Sequence, residues 1–219
     1  MSNMMQCGDG EPVMDPESDA EFLPSRILLI DRSAQLVDEW RRVFAGIGAV
    51  EVIAGDYFQR PADAIVSPAN SFGIMDGGID HAIRDRLGHI VQSRIQKVIV
   101  DKYHGELPVG CAEIVETNEP HWKYLIVAPT MRVPEPVAFT LNAYLAFRAI
   151  LLAVENFNKN CGRREIDSLV CCGLGTGVGK VSPTKCAQQM RAAYQVMTEF
   201  SRILSFEAIH EIHRALQLI

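Results

Sequence analysis

The chain has little of what membrane insertion or secretion requires. Its most apolar stretch, residues 143–154, includes Tyr144 and Arg148 and is shorter than the roughly 20 residues that span a bilayer. Residues 1–20 carry five acidic side chains and lack the basic and apolar regions of a secretion signal. The sequence therefore predicts no transmembrane helix, no membrane partner and a cytoplasmic location, with residues 1–24 as a flexible acidic tail.

An excess of positive charge is also absent. The 219 residues hold 21 Lys and Arg against 27 Asp and Glu, which gives a formal net charge of −6. A surface that binds duplex nucleic acid needs many cations against its phosphates, so we expect no partner of that kind. A single pyrophosphate stays compatible with this composition, because backbone N–H groups bind it without Lys or Arg.

The six cysteines form no C-x-x-C pair, the spacing typical of zinc sites and redox motifs. Reduced and mostly buried thiols are therefore predicted, and no metal or cofactor is expected. Cys171 and Cys172 are adjacent in a predicted strand, so their side chains should point to opposite faces of it. His210 and His213 lie three residues apart in a predicted helix, but no third ligand is evident beyond Glu211.

Short aliphatic runs alternate with helical patterns along the chain. Six strands are predicted, at residues 26–31, 49–54, 63–66, 111–116, 123–128 and 166–172. Helices are predicted at residues 33–44, 81–87, 90–103 and 137–158, and from residue 182 onward with a break near Ser205. This alternation predicts one α/β domain over residues 25–219, a three-layer α/β/α sandwich with a central mixed sheet of about six strands.

The loop after the last predicted strand is dense in glycine. Four of the chain's 16 glycines lie within Gly173-Leu-Gly-Thr-Gly-Val-Gly179. Alternating glycines let the backbone turn with positive φ and leave N–H groups free to converge on an anion. The spacing fits neither a Walker A loop nor the G-x-G-x-x-G dinucleotide motif. A turn that serves only tight packing is the alternative interpretation.

A second loop follows the strand that ends at Val66. It spans residues 67–80 and contains three more glycines. Ligands of α/β sheets bind at the carboxyl ends of strands, so both loops are predicted to border one site. Asn70 offers a donor and an acceptor suited to ribose hydroxyls, although an Asx turn would use the same amide. Asp80 is either a site residue or the cap of a helix that begins at His81.

Together these segments resemble the macro domain, the ADP-ribose-binding module. The motifs that carry the resemblance follow the family's order and are Gly55-Asp56, Asp63-Ala-Ile-Val-Ser-Pro-Ala-Asn70, Gly77-Gly-Ile-Asp-His-Ala-Ile83, Leu107-Pro-Val-Gly110 and Gly175-Thr-Gly-Val-Gly179. The similarity covers residues 26–200. It implies that ADP-ribose or an ADP-ribosylated protein is the partner.

The resemblance assigns each loop to one part of the ligand. Asp56, with the backbone of Tyr57 nearby, would bind the adenine amino group. The pyrophosphate would lie between the two glycine loops, with Asn70 and Asp80 beside the distal ribose. The ligand-binding residues implied in this way are Asp56, Tyr57, Asn70, Gly77, Gly78, Ile79, Gly175, Thr176, Gly177, Val178 and Gly179.

The resemblance also implies a catalytic role for Asn70 and Asp80. In hydrolytic macro domains the matching positions orient a water against the ADP-ribosyl linkage. A bound pyrophosphate would raise the pKa of Asp80 and make it a better proton acceptor. Asp76 lies in the same loop, where a carboxylate weakens pyrophosphate binding unless it points to solvent or pairs with a cation, for which Lys180 is the candidate.

Two alternatives compete with an ADP-ribose site. The run Leu28-Leu-Ile-Asp31 before a helix is also typical of a receiver-like signalling domain, but Asp63 begins its strand instead of ending it. A macro fold that has lost its ligand and serves as an interaction scaffold is the stronger rival. The sequence leaves open whether the protein binds or hydrolyses, which linkage it recognises, and its oligomeric state.

Overall fold

A six-stranded sheet lies between two layers of helices in the computed structural model, which describes residues 21–199 and 203–218. The strands are β1 (Arg26–Asp31), β2 (Val50–Ala54), β3 (Ala64–Ser67), β4 (Glu113–Glu119), β5 (Trp122–Val127) and β6 (Ser168–Cys171). The helices are α1 (Ala34–Val43), α2 (Gly78–Leu87), α3 (Ile90–Tyr103), α4 (Asn142–Cys161), α5 (Pro183–Glu199) and α6 (Phe206–Leu218). None of these described helices has the length and apolarity needed to cross a bilayer. The predicted α/β/α sandwich with a mixed sheet is confirmed.

The strand order β2-β1-β6-β3-β5-β4 brings most strands into parallel alignment. β1 pairs in parallel with β2 and β6, and β3 pairs in parallel with β6 and β5. β4 runs antiparallel beside β5. The loops after β1, β2, β3, β5 and β6 therefore all leave the sheet at the carboxyl ends of the parallel strands. This is where α/β proteins bind their ligands.

Apolar side chains on the two faces of the sheet form two separate cores. Trp40 of α1 and Phe147 of α4 are fully buried on one face, and Ile95 of α3 is buried on the other. Removal of this apolar surface from water is the main force that holds the helices to the sheet. Cys171 and Cys172 lie in opposite cores, as their adjacency predicts.

The packed part of the domain begins before residue 25. Leu23, which the sequence analysis assigns to the acidic tail, is buried in the core on the α4 side. The carbonyl of Phe22 accepts a hydrogen bond of 2.9 Å from Nδ2 of the buried Asn158. Cys7 and the acidic residues before residue 21 lie outside the described part of the chain.

The longest helix begins later than its apolar pattern predicts. α4 begins at Asn142, whereas the sequence places its start at Val137. The N–H of Val137 donates to the carbonyl of Gly179 at 2.7 Å, and Thr140 Oγ1 donates to the carbonyl of Val137 at 2.7 Å. Residues 137–140 therefore close against the glycine loop instead of extending the helix.

Candidate functional site

A cavity of about 460 Å³ opens at the carboxyl edge of the parallel strands. Each of the five loops that leave this edge contributes to its wall. All the residues that the sequence analysis selects as site residues line this one cavity: Asp56, Tyr57, Asn70, Gly77, Gly78, Ile79, Asp80, Gly175, Thr176, Gly177, Val178 and Gly179. The structure brings them together, while the role of each remains a prediction.

The loop between β6 and α5 offers unpaired backbone donors. Within the described part of the chain, the N–H groups of residues 175–179 donate to no protein acceptor. The carbonyls of Gly175 and Gly177, in contrast, accept from the N–H groups of Val181 and Lys180 at 3.1 and 3.2 Å. Successive N–H groups in a glycine turn form a concavity that binds anions, so this wall suits a phosphate group.

The glycines of this loop serve two different purposes. A Cβ atom at Gly179 would lie 2.5 Å from the carbonyl oxygen of Gly175 and 2.8 Å from Val137 Cγ2. Gly175 itself has a φ of +71°, in the left-handed region that glycine favours. A Cβ atom at Gly177 would meet nothing within 4 Å. Gly175 and Gly179 therefore shape the loop, whereas Gly177 leaves open space beside the cavity.

This difference predicts unequal effects of two small substitutions. Gly179→Ala is expected to lower the free energy of unfolding by about 1–3 kcal/mol, because the backbone must shift to admit the methyl group. Gly177→Ala is the matched control and should change it by no more than about 0.5 kcal/mol. Urea unfolding of both variants measures the difference, and equal stabilities would contradict the assignment of Gly179 to loop shape.

The loop between β3 and α2 forms the opposite wall. α2 begins at Gly78, whose φ is +57°, so the helix starts before Asp80. The interpretation in which Asp80 caps a helix that begins at His81 is therefore wrong, and Asp80 lies in the first turn of α2. Among the described residues, the N–H groups of residues 76–80 donate to no protein acceptor. A helix start with free N–H groups attracts negative charge.

Asp80 is held by a side chain at the end of β3. The hydroxyl of the fully buried Ser67 donates to Asp80 Oδ1 at 2.6 Å. Burial raises the pKa of the Asp80 carboxyl to about 6, and the hydrogen bond from Ser67 acts in the opposite direction. A carboxyl group with this pKa can accept a proton close to neutral pH, which suits a general base.

Asn70 uses most of its amide within its own loop. Oδ1 accepts from the N–H groups of Phe72 and Ile74 at 3.1 and 3.3 Å, and Nδ2 donates to the carbonyl of Ile74 at 2.7 Å. The Asx turn that the sequence left open is therefore present. Because an amide nitrogen carries two hydrogens, one donor of Asn70 stays available for a ligand in the cavity.

The loop after β2 brings Asp56 to the cavity as an ionised carboxylate. Oδ1 accepts from the N–H of Phe58 at 2.9 Å, and Oδ2 forms an ion pair with the guanidinium of Arg32. These contacts, the Phe58 N–H first, lower the pKa of the Asp56 carboxyl. An ionised carboxylate only accepts hydrogen bonds, so Asp56 suits a ligand group that donates them.

The side chain of Tyr57 lies beneath the cavity, where it joins two strands. Its hydroxyl is buried and lies 2.7 Å from the carbonyl oxygen of Val66 and 3.0 Å from that of Val170. These carbonyls belong to β3 and β6, so Tyr57 fixes the strand ends from which both glycine loops begin.

Sequence reasoning missed the β1–α1 loop as part of the site. Ile30, Asp31 and Arg32 line the cavity. Asp31 Oδ1 accepts from the N–H of Ser33 at 2.8 Å and Oδ2 from the N–H of Gly173 at 3.2 Å, which ties the start of α1 to the glycine loop. The available signal was an acidic residue directly after an aliphatic run. The lining residues Thr130, Met131 and Pro134, which follow β5, were missed as well.

Asp76 pairs with a cation, but the expected partner is wrong. Its carboxylate Oδ1 lies 2.7 Å from Nη1 of Arg84, and its side chain is 71% exposed. Lys180 does not line the cavity. Arg84 lies on α2, eight residues after Asp76, and its side chain reaches back to that carboxylate.

Known proteins share sequence and fold with this chain. A family model described as Macro domain matches residues 66–190. An uncharacterized protein of Aquifex aeolicus is 34% identical over 141 residues, which cover 64% of this chain and 78% of that protein. An uncharacterized protein of Aeropyrum pernix is 29% identical over 153 residues, which cover 69% of this chain and 74% of that protein.

Solved macrodomains share the fold at low sequence identity. The macrodomain of Mycobacterium tuberculosis DarG superposes with a TM-score of 0.55 and 20% identity, over 67% of this chain and 90% of that one. The macrodomain of Oceanobacillus iheyensis with ADP gives a TM-score of 0.50 and 20% identity, over 66% of this chain and 74% of that one. Since the family model alone spans more than half of the 219 residues, the chain belongs to the macro domain family.

Proposed function

We propose that the protein binds ADP-ribose, either free or attached to a protein. The observation that carries this proposal is the pair of glycine loops that face one cavity with unpaired N–H groups, residues 76–80 on one side and residues 175–179 on the other. A pyrophosphate bridge carries two negative charges and accepts many hydrogen bonds, so backbone donors on both sides suit it.

The rest of the cavity suits the two ends of the same ligand. Asp56 is ionised and accepts hydrogen bonds, which fits the amino group of adenine. Asn70 and Asp80 lie at the ends of the β3–α2 loop and provide one free donor and one carboxylate for ribose hydroxyls. A ligand with a base, a pyrophosphate and a distal ribose therefore uses three of the five loops that line the cavity, those after β2, β3 and β6.

Calorimetry with ADP-ribose, ADP and AMP tests this proposal. We expect ADP-ribose to bind most tightly, because it alone of the three reaches Asn70 and Asp80 as well as both glycine loops. Equal and weak binding of all three would indicate a general nucleotide site. Absence of binding would favour the alternative in which the macro fold serves as an interaction scaffold.

A second function, hydrolysis of an ADP-ribosyl linkage, is supported by the state of Asp80. The pKa of its carboxyl is raised to about 6, and Ser67 fixes one of its oxygens at 2.6 Å. In this reaction Asp80 takes a proton from a water molecule as the water oxygen bonds to the anomeric carbon or ester carbonyl. The bond from the attacked carbon to the leaving oxygen or nitrogen breaks, and the protonated Asp80 passes its proton to that leaving atom.

A further inference from the structure

An ion pair lies near the end of the β3–α2 loop, just before the start of α2. Asp76 lines the cavity directly before Gly77 and Gly78, and Oδ1 of its carboxylate lies 2.7 Å from Arg84 Nη1. The side chain of Arg84 is only 14% exposed. Its Nε is buried and has no hydrogen-bond partner within the described part of the chain, and Asp85 Oδ1 lies 3.8 Å from it. Arg84 is therefore largely removed from water and committed to Asp76.

The cavity has an unfavourable charge for an anionic ligand. Its lining contains four carboxylates, those of Asp31, Asp56, Asp76 and Asp80. Among the residues that the structure describes, Arg32 is the one cation in the same lining, and it pairs with Asp56. Without Arg84, the charge of Asp76 would stand uncompensated next to the backbone donors that face the ligand.

We propose that Arg84 is a positioning residue for anion binding, which neutralises Asp76 and fixes that carboxylate so that the N–H groups of Gly77 and Gly78 can donate hydrogen bonds to a pyrophosphate. The inference rests on the proposed function, since it concerns the same cavity. The ion pair of Arg84 with Asp76 makes the loop compatible with a doubly charged ligand. Arg84 acts on the ligand through Asp76, because Arg84 does not itself line the cavity.

A double-mutant cycle tests the proposal by the sign of its effects. Arg84→Gln should weaken ADP-ribose binding about threefold to fivefold, because it leaves the largely exposed carboxylate of Asp76 unpaired beside the ligand. Asp76→Asn should tighten binding about threefold, because it removes a negative charge and leaves the guanidinium in place. The double variant should bind within about threefold of the wild type, because both changes remove the charge imbalance together. Calorimetry at low and high salt measures all four proteins, and the effects should shrink as salt increases.

A merely structural ion pair gives a different pattern. Both single variants break the same contact, so they would then lower the melting temperature and the affinity together and in the same direction. Weaker binding by Asp76→Asn, or unchanged affinity of Arg84→Gln, would overturn the proposal. Lys97→Gln is the matched control, because it breaks an exposed ion pair with Asp101 on α3 away from the cavity.

Inorganic pyrophosphate, titrated in parallel, separates this proposal from the proposed function. The same order of affinities is expected for pyrophosphate, because the ion pair acts on the bridge alone. If pyrophosphate shows this order while ADP-ribose does not bind the wild type, the proposed function fails and the role of Arg84 stands. If neither compound binds, both proposals are overturned.

Discussion

Gly177→Glu is expected to abolish binding of ADP-ribose while the fold stays intact. The position is exposed, lies in the cavity wall, and offers open space to a side chain. A carboxylate there would stand among the free N–H groups of residues 175–179 and would repel the pyrophosphate. Affinity measured by calorimetry should fall by a factor of about 100 or more, equivalent to about 3 kcal/mol.

Two controls separate charge from bulk and from general effects. Gly177→Gln adds nearly the same volume without charge, and we expect it to bind better than Gly177→Glu. Gly48→Glu adds the same charge in an open turn before β2, at the opposite end of the parallel strands, and should leave affinity unchanged. Retained affinity in Gly177→Glu would show that this loop is not the ligand wall. A lower melting temperature with unchanged affinity would assign the loop to packing.

Asp80→Asn is expected to lower the rate of ADP-ribosyl hydrolysis by a factor of about 10² to 10⁴, the usual loss for a general base. Affinity for ADP-ribose should change little, because asparagine keeps the size of the side chain and an oxygen for the Ser67 hydroxyl. Rate measured by release of ADP-ribose and affinity measured by calorimetry give the comparison. Asp85→Asn is the matched control, since Asp85 lies on the same helix and does not line the cavity.

The pKa of Asp80 gives the same prediction a second measurement. The wild-type rate should fall as the pH drops below about 6, because the base becomes protonated.

The raised pKa of Asp80 also predicts how stability depends on pH. The folded pKa lies above the ordinary value of 3.8, so the folded protein binds this proton more tightly than the unfolded chain. Asp80 therefore costs stability above pH 6, and Asp80→Asn should raise the melting temperature there. This gain should shrink as the pH falls from 6 toward 4, and unchanged turnover in Asp80→Asn would contradict the catalytic role.

Local patterns in the sequence were sufficient for the fold class and for the two glycine loops. α3 has the same ends in the structure as in its predicted pattern, Ile90 and Tyr103, because its apolar spacing is helical throughout. The two loops were found because each follows a short buried strand and is rich in glycine. Neither inference needs knowledge of distant contacts.

Features that depend on distant contacts were not predictable in this way. α4 begins late because Val137 bonds to Gly179, a residue 42 positions further along the chain. Asp31 joins the site because β1 lies beside β6, an order that the sequence does not reveal. The pairing of Arg84 with Asp76 is local, eight residues apart, but it depends on the start of α2 at Gly78, which the sequence places at His81.

Because β1 lies inside the sheet, its position has a consequence for any shortened form of this protein. The family match begins at residue 66, after β1, α1 and β2, yet β1 lies inside the sheet between β2 and β6. A fragment trimmed to the matched residues would leave β6 without its neighbour from Ser168 to Cys171. The unpaired N–H and C=O groups of that strand could then form hydrogen bonds with other chains and cause aggregation. Recombinant fragments therefore need to retain the segment from residue 21 onward.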